Sequence, residues 1–204
     1  MHSWSVVVPA KRLAVAKTRL RPLTDGPGTA HDDLVLALLA DTVAAALACP
    51  AVMEVLVVTD DPAAAAVARE LGARTVADVP DRGLNPALAH GADSATGAAI
   101  AALSSDLPAL RPEELAAALE AAGEGRSFVP DAEGTGTTLL TAVGTALRPH
   151  FGAASAEAHL GSGAVPLTGA WPGLVRDVDT EADLRAALAL GAGPRTTALI
   201  GRLH

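Results

Sequence analysis

The apolar residues of this chain arrive in short unbroken runs, and that restricts the fold more than any other feature. Val6-Val7-Val8, Val55-Leu56-Val57-Val58 and Ala101-Ala102-Leu103 contain no polar positions in alternation. A strand exposed on one face alternates apolar and polar residues, whereas one covered on both faces does not. Between the runs lie Ala- and Leu-rich stretches with helical spacing. Strands alternating with helices in this way define an α/β chain with a mostly parallel sheet and helices on both faces. At 204 residues and 20.3 kDa, one domain over residues 1–204 is expected.

Strands are expected at Ser5 to Val8, Glu54 to Thr59, Arg74 to Ala77, Gly97 to Leu103, Ser127 to Val129, Thr138 to Val143 and Val175 to Val178. Helices are expected from Asp32 to Ala48, Ala63 to Leu71, after Pro86 to about Ala95, from Pro112, from Ala156 to Leu160 and from Glu181 to Leu190. In sheets of this kind ligands bind beyond the carboxyl ends of the strands.

The residues leaving the first strand are basic. Lys11, Arg12, Lys17, Arg19 and Arg21 precede the first acidic residue, Asp25, in a chain of net charge −8. Such a loop suits phosphate. It does so without either common glycine signature. A dinucleotide fingerprint needs glycines directly after the strand, and none occurs before Gly26. A P-loop needs glycine where Lys11 and Ala16 stand, so phosphate must be held by side chains.

Two acidic segments complete the pattern. Asp106 ends the run Ala101-Ala102-Leu103-Ser104-Ser105 and is followed by Leu107-Pro108, which stiffens the backbone. Asp177 and Asp179 flank Val178, with Thr180 placed to cap the helix starting at Glu181. Carboxylates at two strand ends beside a basic phosphate loop fit magnesium bridging triphosphate oxygens.

Bulk properties exclude other classes. An isoelectric point near 5.1 argues against nucleic acid and acidic membranes as partners. Cys49 is the only cysteine, so no internal disulfide and no cysteine-based zinc site can form. The apolar run from Val6 to Pro9 is too short for a signal core, and a soluble, cytoplasmic protein is expected.

Taken together, Ala10-Lys11-Arg12-Leu13, Lys17-Thr18-Arg19-Leu20, Asp106-Leu107-Pro108-Ala109-Leu110, Gly134-Thr135-Gly136-Thr137 and Asp177-Val178-Asp179-Thr180 resemble a specific family. It is that of the 2-phospho-L-lactate or phosphoenolpyruvate guanylyltransferases of deazaflavin coenzyme F-420 biosynthesis. The likeness extends through Ser162-Gly163-Ala164-Val165 and Leu167 to Leu174. Ser105 departs from it, standing where relatives commonly carry glycine. The resemblance implies a nucleotidyltransferase fold of the GT-A-like, Rossmann-like type. It implies metal on Asp106, Asp177 and Asp179, and the phosphorylated acid on Thr137, Gly152 and Ser155.

The reaction so implied is attack by a phosphate oxygen of the acid on the α-phosphorus of GTP, with pyrophosphate leaving. It needs alignment and charge neutralisation rather than a protein nucleophile. Lys11, Arg12 and Lys17, with Arg19, are assigned to the triphosphate, and Asn85 to the base or ribose. Gly134 to Thr137 reads as a flexible turn with free N–H groups, and Ser155 as the N-cap of a short helix whose amides face an anion. The six histidines show no metal spacing and are given no role. The alanine bias suggests a GC-rich genome, and so phosphoenolpyruvate rather than 2-phospho-L-lactate as the acid. A sugar-phosphate or molybdopterin nucleotidyltransferase is the rival enzyme, and a non-catalytic nucleotide-binding regulator the rival of another class.

Overall fold

The computed structural model describes residues 2–10, 20, 30–79 and 83–203. Its centre is a seven-stranded sheet. The strands are β1 (Trp4–Pro9), β2 (Val52–Val58), β3 (Arg74–Val76), β4 (Ala99–Leu103), β5 (Gly125–Pro130), β6 (Thr137–Val143) and β7 (Val165–Pro166). They lie in the order β3-β2-β1-β4-β6-β5-β7. β1 pairs in parallel with both β2 and β4, and β3 continues that half. β6 runs antiparallel between β4 and β5, and β7 adds a parallel edge.

The unbroken apolar runs are explained by cover on both faces. Val6 and Val8 point into one core with α1 (Ala30–Ala48), α2 (Pro62–Leu71) and α4 (Pro112–Ala121). Val7, between them, points into the other with α3 (Leu84–Asp93) and α5 (Ser155–Gly161). With few aromatics, close approach replaces bulk. A Cβ on Gly91 of α3 would lie 2.5 Å from Val7 Cγ1 and 2.6 Å from Val58 Cγ2, so this helix sits on the sheet only because glycine is there.

Three differences from the sequence reading have local causes. Val175 to Val178 forms no strand. Leu174 and Val178 are buried as core plugs, and the segment is tied by single backbone bonds, Ala132 N to Val175 O and Val178 N to Asp106 O. The helix expected after Pro86 begins at Leu84, with the proline inside its first turn, where its missing N–H costs nothing.

The third difference is an additional helix, α7 (Pro194–Leu203), which follows α6 (Glu181–Leu190). Its entry is capped from α1: Asp41 accepts from the Arg195 and Thr196 amides at 3.1 and 2.8 Å. Among the described residues no helix is long and apolar enough to cross a membrane.

Candidate active site

The chain runs from β1 to β2 and β3 on one side, then returns to place β4 on the other. The carboxyl ends of β1 and β4 therefore form the switch point at which such sheets open a crevice. A cleft of about 710 Å³ lies there. Pro9 and Ala10 line it from β1, and Leu103 to Asp106 from β4. β6 starts at the same edge, because it runs antiparallel to β4, and so delivers Thr137 to the cleft. Ser104 N donates to Thr138 O at 2.9 Å and locks the two segments together.

Asp106 stands at one wall and is 7% exposed. Its segment is held from several directions. Leu107 N donates to Thr42 Oγ1 at 2.9 Å, Leu110 N to Leu107 O at 3.0 Å, and Gly193 N to Pro108 O at 2.7 Å. The Val178 amide bonds the Asp106 carbonyl at 3.1 Å and carries Asp177 and Asp179 to the same cleft. Asp131 and Glu133 add two further carboxylates to the lining. Among the described residues that line the cleft there is no Lys or Arg. Nor do three or more His, Cys, Asp or Glu residues converge tightly enough among the described residues to complete a metal shell alone. Lys11, Arg12, Lys17 and Arg19 lie outside the described residues.

The opposite wall is neutral. Thr137, Gly152 and Ser155, far apart in sequence, all line it. Thr137 and Ser155 are 6% and 2% exposed. Two expectations about their surroundings need correction. The turn before Thr137 has no free amides at Thr135 and Gly136: the Asp131 carboxylate accepts from both, at 2.9 and 2.8 Å. A Cβ on Gly136 would lie 2.3 Å from Asp131 Oδ2, so glycine is what lets the carboxylate close over the turn. Ser155 is not the N-cap of α5. Ala154 is, in a left-handed conformation with φ 54°, and no side chain caps this end. The Ser155 and Ala156 amides are occupied by Gly152 O and Thr135 O, at 3.2 and 3.1 Å. The first two amides of α5 are therefore occupied, while Thr137 and Ser155 bring hydroxyl-bearing side chains to the lining. By contrast Thr180 does cap α6, in a capping box with Asp183.

Asn85 has a structural occupation. Its amide donates to Phe151 O at 3.0 Å and its carbonyl accepts from Phe151 N at 2.7 Å, so it clamps the loop that carries Gly152. The clamp uses one N–H and one lone pair of the amide.

His159, set aside in the sequence, is fully buried. Its Nδ1 is 2.9 Å from Thr137 Oγ1, and its Nε2 accepts the His150 amide at 2.9 Å. Burial is the main cause that lowers its pKa from 6.5 to about 4. Repulsion from His150 and Arg126 adds to the shift, and the Ser155 carbonyl opposes it. A buried histidine leaves no spacing signal, so only the fold could reveal it.

This sheet order, with its cleft at the switch point, is a fold found among nucleotidyl transferases. A nucleotidyl transferase from Methanothermobacter thermautotroptrophicus shares the fold at TM-score 0.70 and 24% identity, covering 92% of this chain and 97% of its own. Residues 4–165 match the family described as "Guanylyl transferase CofC like", and the chain belongs to it. It is 72% identical to the phosphoenolpyruvate guanylyltransferase of Geodermatophilus obscurus, over 98% of this chain and 95% of the relative. It is 58% identical to that of Salinispora arenicola, over 97% and 94%.

Proposed function

We propose that the protein transfers the guanylyl group of GTP to phosphoenolpyruvate, forming enolpyruvoyl-2-diphospho-5'-guanosine and pyrophosphate in the route to coenzyme F-420. The observation that carries the reading is the convergence of Asp106, Asp177 and Asp179 with Thr137, Gly152 and Ser155 on one cleft at the switch point. The likeness to named phosphoenolpyruvate guanylyltransferases supports the choice of acid.

The cleft's described lining is acidic and neutral, yet both substrates are polyanions. Cations must therefore be supplied to it. Asp106, Asp177 and Asp179 offer hard oxygen donors and would hold magnesium, leaving substrate oxygens and water to complete its coordination. When bound, that ion would supply charge neutralisation at the phosphates. Lys11, Arg12, Lys17 and Arg19 are assigned to the triphosphate and the leaving pyrophosphate. Thr137 and Ser155 orient the acid so that its phosphate oxygen faces the α-phosphorus. A P–O–P bond then forms as the α–β anhydride breaks, and the electron pair leaves with pyrophosphate.

The test is direct. Purified protein with magnesium and α-labelled GTP is given phosphoenolpyruvate, 2-phospho-L-lactate or a sugar 1-phosphate in turn, and labelled product and pyrophosphate are measured. Phosphoenolpyruvate is expected to give the highest kcat/KM. Preference for either other acceptor would overturn the choice of substrate, and no turnover with any would leave a nucleotide-binding regulator.

A further inference from the structure

Thr137 can serve a substrate phosphate only if its single O–H proton is directed at the cleft. A threonine hydroxyl can donate once and accept twice, and in a loose site it rotates among partners. The surroundings of Thr137 remove that freedom. His159 Nε2 accepts the His150 amide at 2.9 Å, an amide having no alternative but to donate. The proton of the neutral ring must then sit on Nδ1. Thr137 Oγ1, 2.9 Å away, cannot donate to a nitrogen that already carries a proton, so the hydroxyl's own proton must go elsewhere.

We infer that His159 is a positioning residue for the acid substrate: its backbone-fixed tautomer turns Thr137 into an obligate donor toward the cleft. This rests on the reading of Thr137 as part of the acid site.

The rest of the pocket supports the assignment. Phe151 packs edge-on against the ring at a centroid distance of 5.1 Å and Phe128 lies tilted at 5.7 Å, which fixes the imidazole plane. The Ser155 carbonyl also faces the ring and favours a proton on it. One imidazole thus reaches both hydroxyl-bearing residues of the neutral wall and, through His150, the loop leading to Gly152. The depressed pKa keeps the ring neutral across the physiological range, so the Nε2 lone pair on which the tautomer depends is always present.

Two measurements test this on the full chain. In 15N-histidine-labelled protein, the His159 ring should show a protonated Nδ1 and an unprotonated Nε2, unchanged between pH 8 and 6. A protonated Nε2 would overturn the inference, and this readout needs no variant to fold. The second is a double-mutant cycle with Thr137→Val, read as KM for phosphoenolpyruvate at saturating GTP and magnesium. His159→Gln keeps an acceptor near Nε2 and loses the donor, and should raise that KM about tenfold, the value of one hydrogen bond to a charged group. His159→Asn, which keeps a donor near Nδ1, should raise it less. The KM for GTP should move less than about twofold in both.

In the Thr137→Val background, His159→Gln should have no further effect on the acid KM. Additive effects would mean that His159 acts by general support of the fold, and the inference fails. If Thr137→Val alone leaves the acid KM unmoved, it is the acid-site reading that fails, whatever His159 does.

Discussion

The wall that carries Asp106, Asp177 and Asp179 is charged and made of loops, with Asp179 exposed and Asp177 half-buried. The wall that carries Thr137 and Ser155 sets two buried hydroxyl-bearing residues against His159, which is at 0% exposure. The contrast fits what each is proposed to hold. Carboxylates that bind a hard cation need an open side, because substrate oxygens and water complete its coordination. Hydroxyls that read a phosphate have no charge to attract it, so their worth lies in being aimed beforehand. The charged wall is fixed through its backbone, by Thr42, Gly193 and Val178, whereas the neutral wall adds to its backbone bonds the side chains of Asn85, Asp131 and His159.

The largest test of this comparison removes charge from the open wall. Asp106→Asn keeps the volume and the backbone bond to Val178, so the chain should still fold. Turnover should fall on the order of 10²–10³-fold, as when a group stabilising transition-state charge is lost. Undiminished kcat would end the assignment of Asp106 to the metal. Asp177→Asn and Asp179→Asn, measured singly, would rank the remaining pair.

A second test concerns the sealed wall and pH. His159 has a folded pKa of about 4 against 6.5 when unfolded. As pH falls below 6.5 the unfolded chain takes up a proton that the folded one refuses. The stability this histidine contributes is therefore full above pH 6.5 and is lost progressively toward pH 4. Denaturant unfolding should show a slope from this group of up to about 1.4 kcal/mol per pH unit in that window. His159→Gln should lack that component. Equal slopes in both proteins would mean that the ring is not held neutral.

Gly136→Ala probes how the neutral wall is assembled. Its Cβ would meet Asp131 Oδ2 at 2.3 Å, so the carboxylate must leave the Thr135 and Gly136 amides or the turn must shift. A loss of about 1–3 kcal/mol in stability is expected, the usual range for overpacking, together with a raised KM for the acid. If both match the parent, the Asp131 clasp does not shape the site.

The sequence reveals most of what is periodic or punctuated. The buried strands were legible because Val6 to Val8 and Val55 to Val58 do not alternate, and the start of α6 because Thr180 precedes Glu181. Contacts that close over long separations were not. Asp41 caps α7 from more than 150 positions away, and nothing near either segment announces it. Val175 to Val178 has the composition of a strand, but among the described residues it is tied by single backbone bonds, to Ala132 and Asp106, and not by a ladder. The acidic residues and Thr137 could be singled out by motif, whereas His159 and the Asn85 clamp depend on which loops meet.

The smallest effect separates two hydroxyls that look alike in sequence, each at the entry to a helix. Thr180 Oγ1 accepts from Asp183 N at 3.3 Å, and the Asp183 carboxylate returns to Thr180 N at 2.8 Å. Thr180→Ala should therefore cost about 1 kcal/mol of stability, the typical loss for an N-cap. Ser155 makes no such bond, since Ala154 is the cap residue of α5. Ser155→Ala should change stability by less than about 0.5 kcal/mol and show itself instead in the KM for phosphoenolpyruvate. Chemical denaturation and acid-dependent kinetics on the two variants decide it. Equal losses of stability would mean that Ser155 is a helix cap after all, and its hydroxyl could no longer be counted among the donors of the neutral wall.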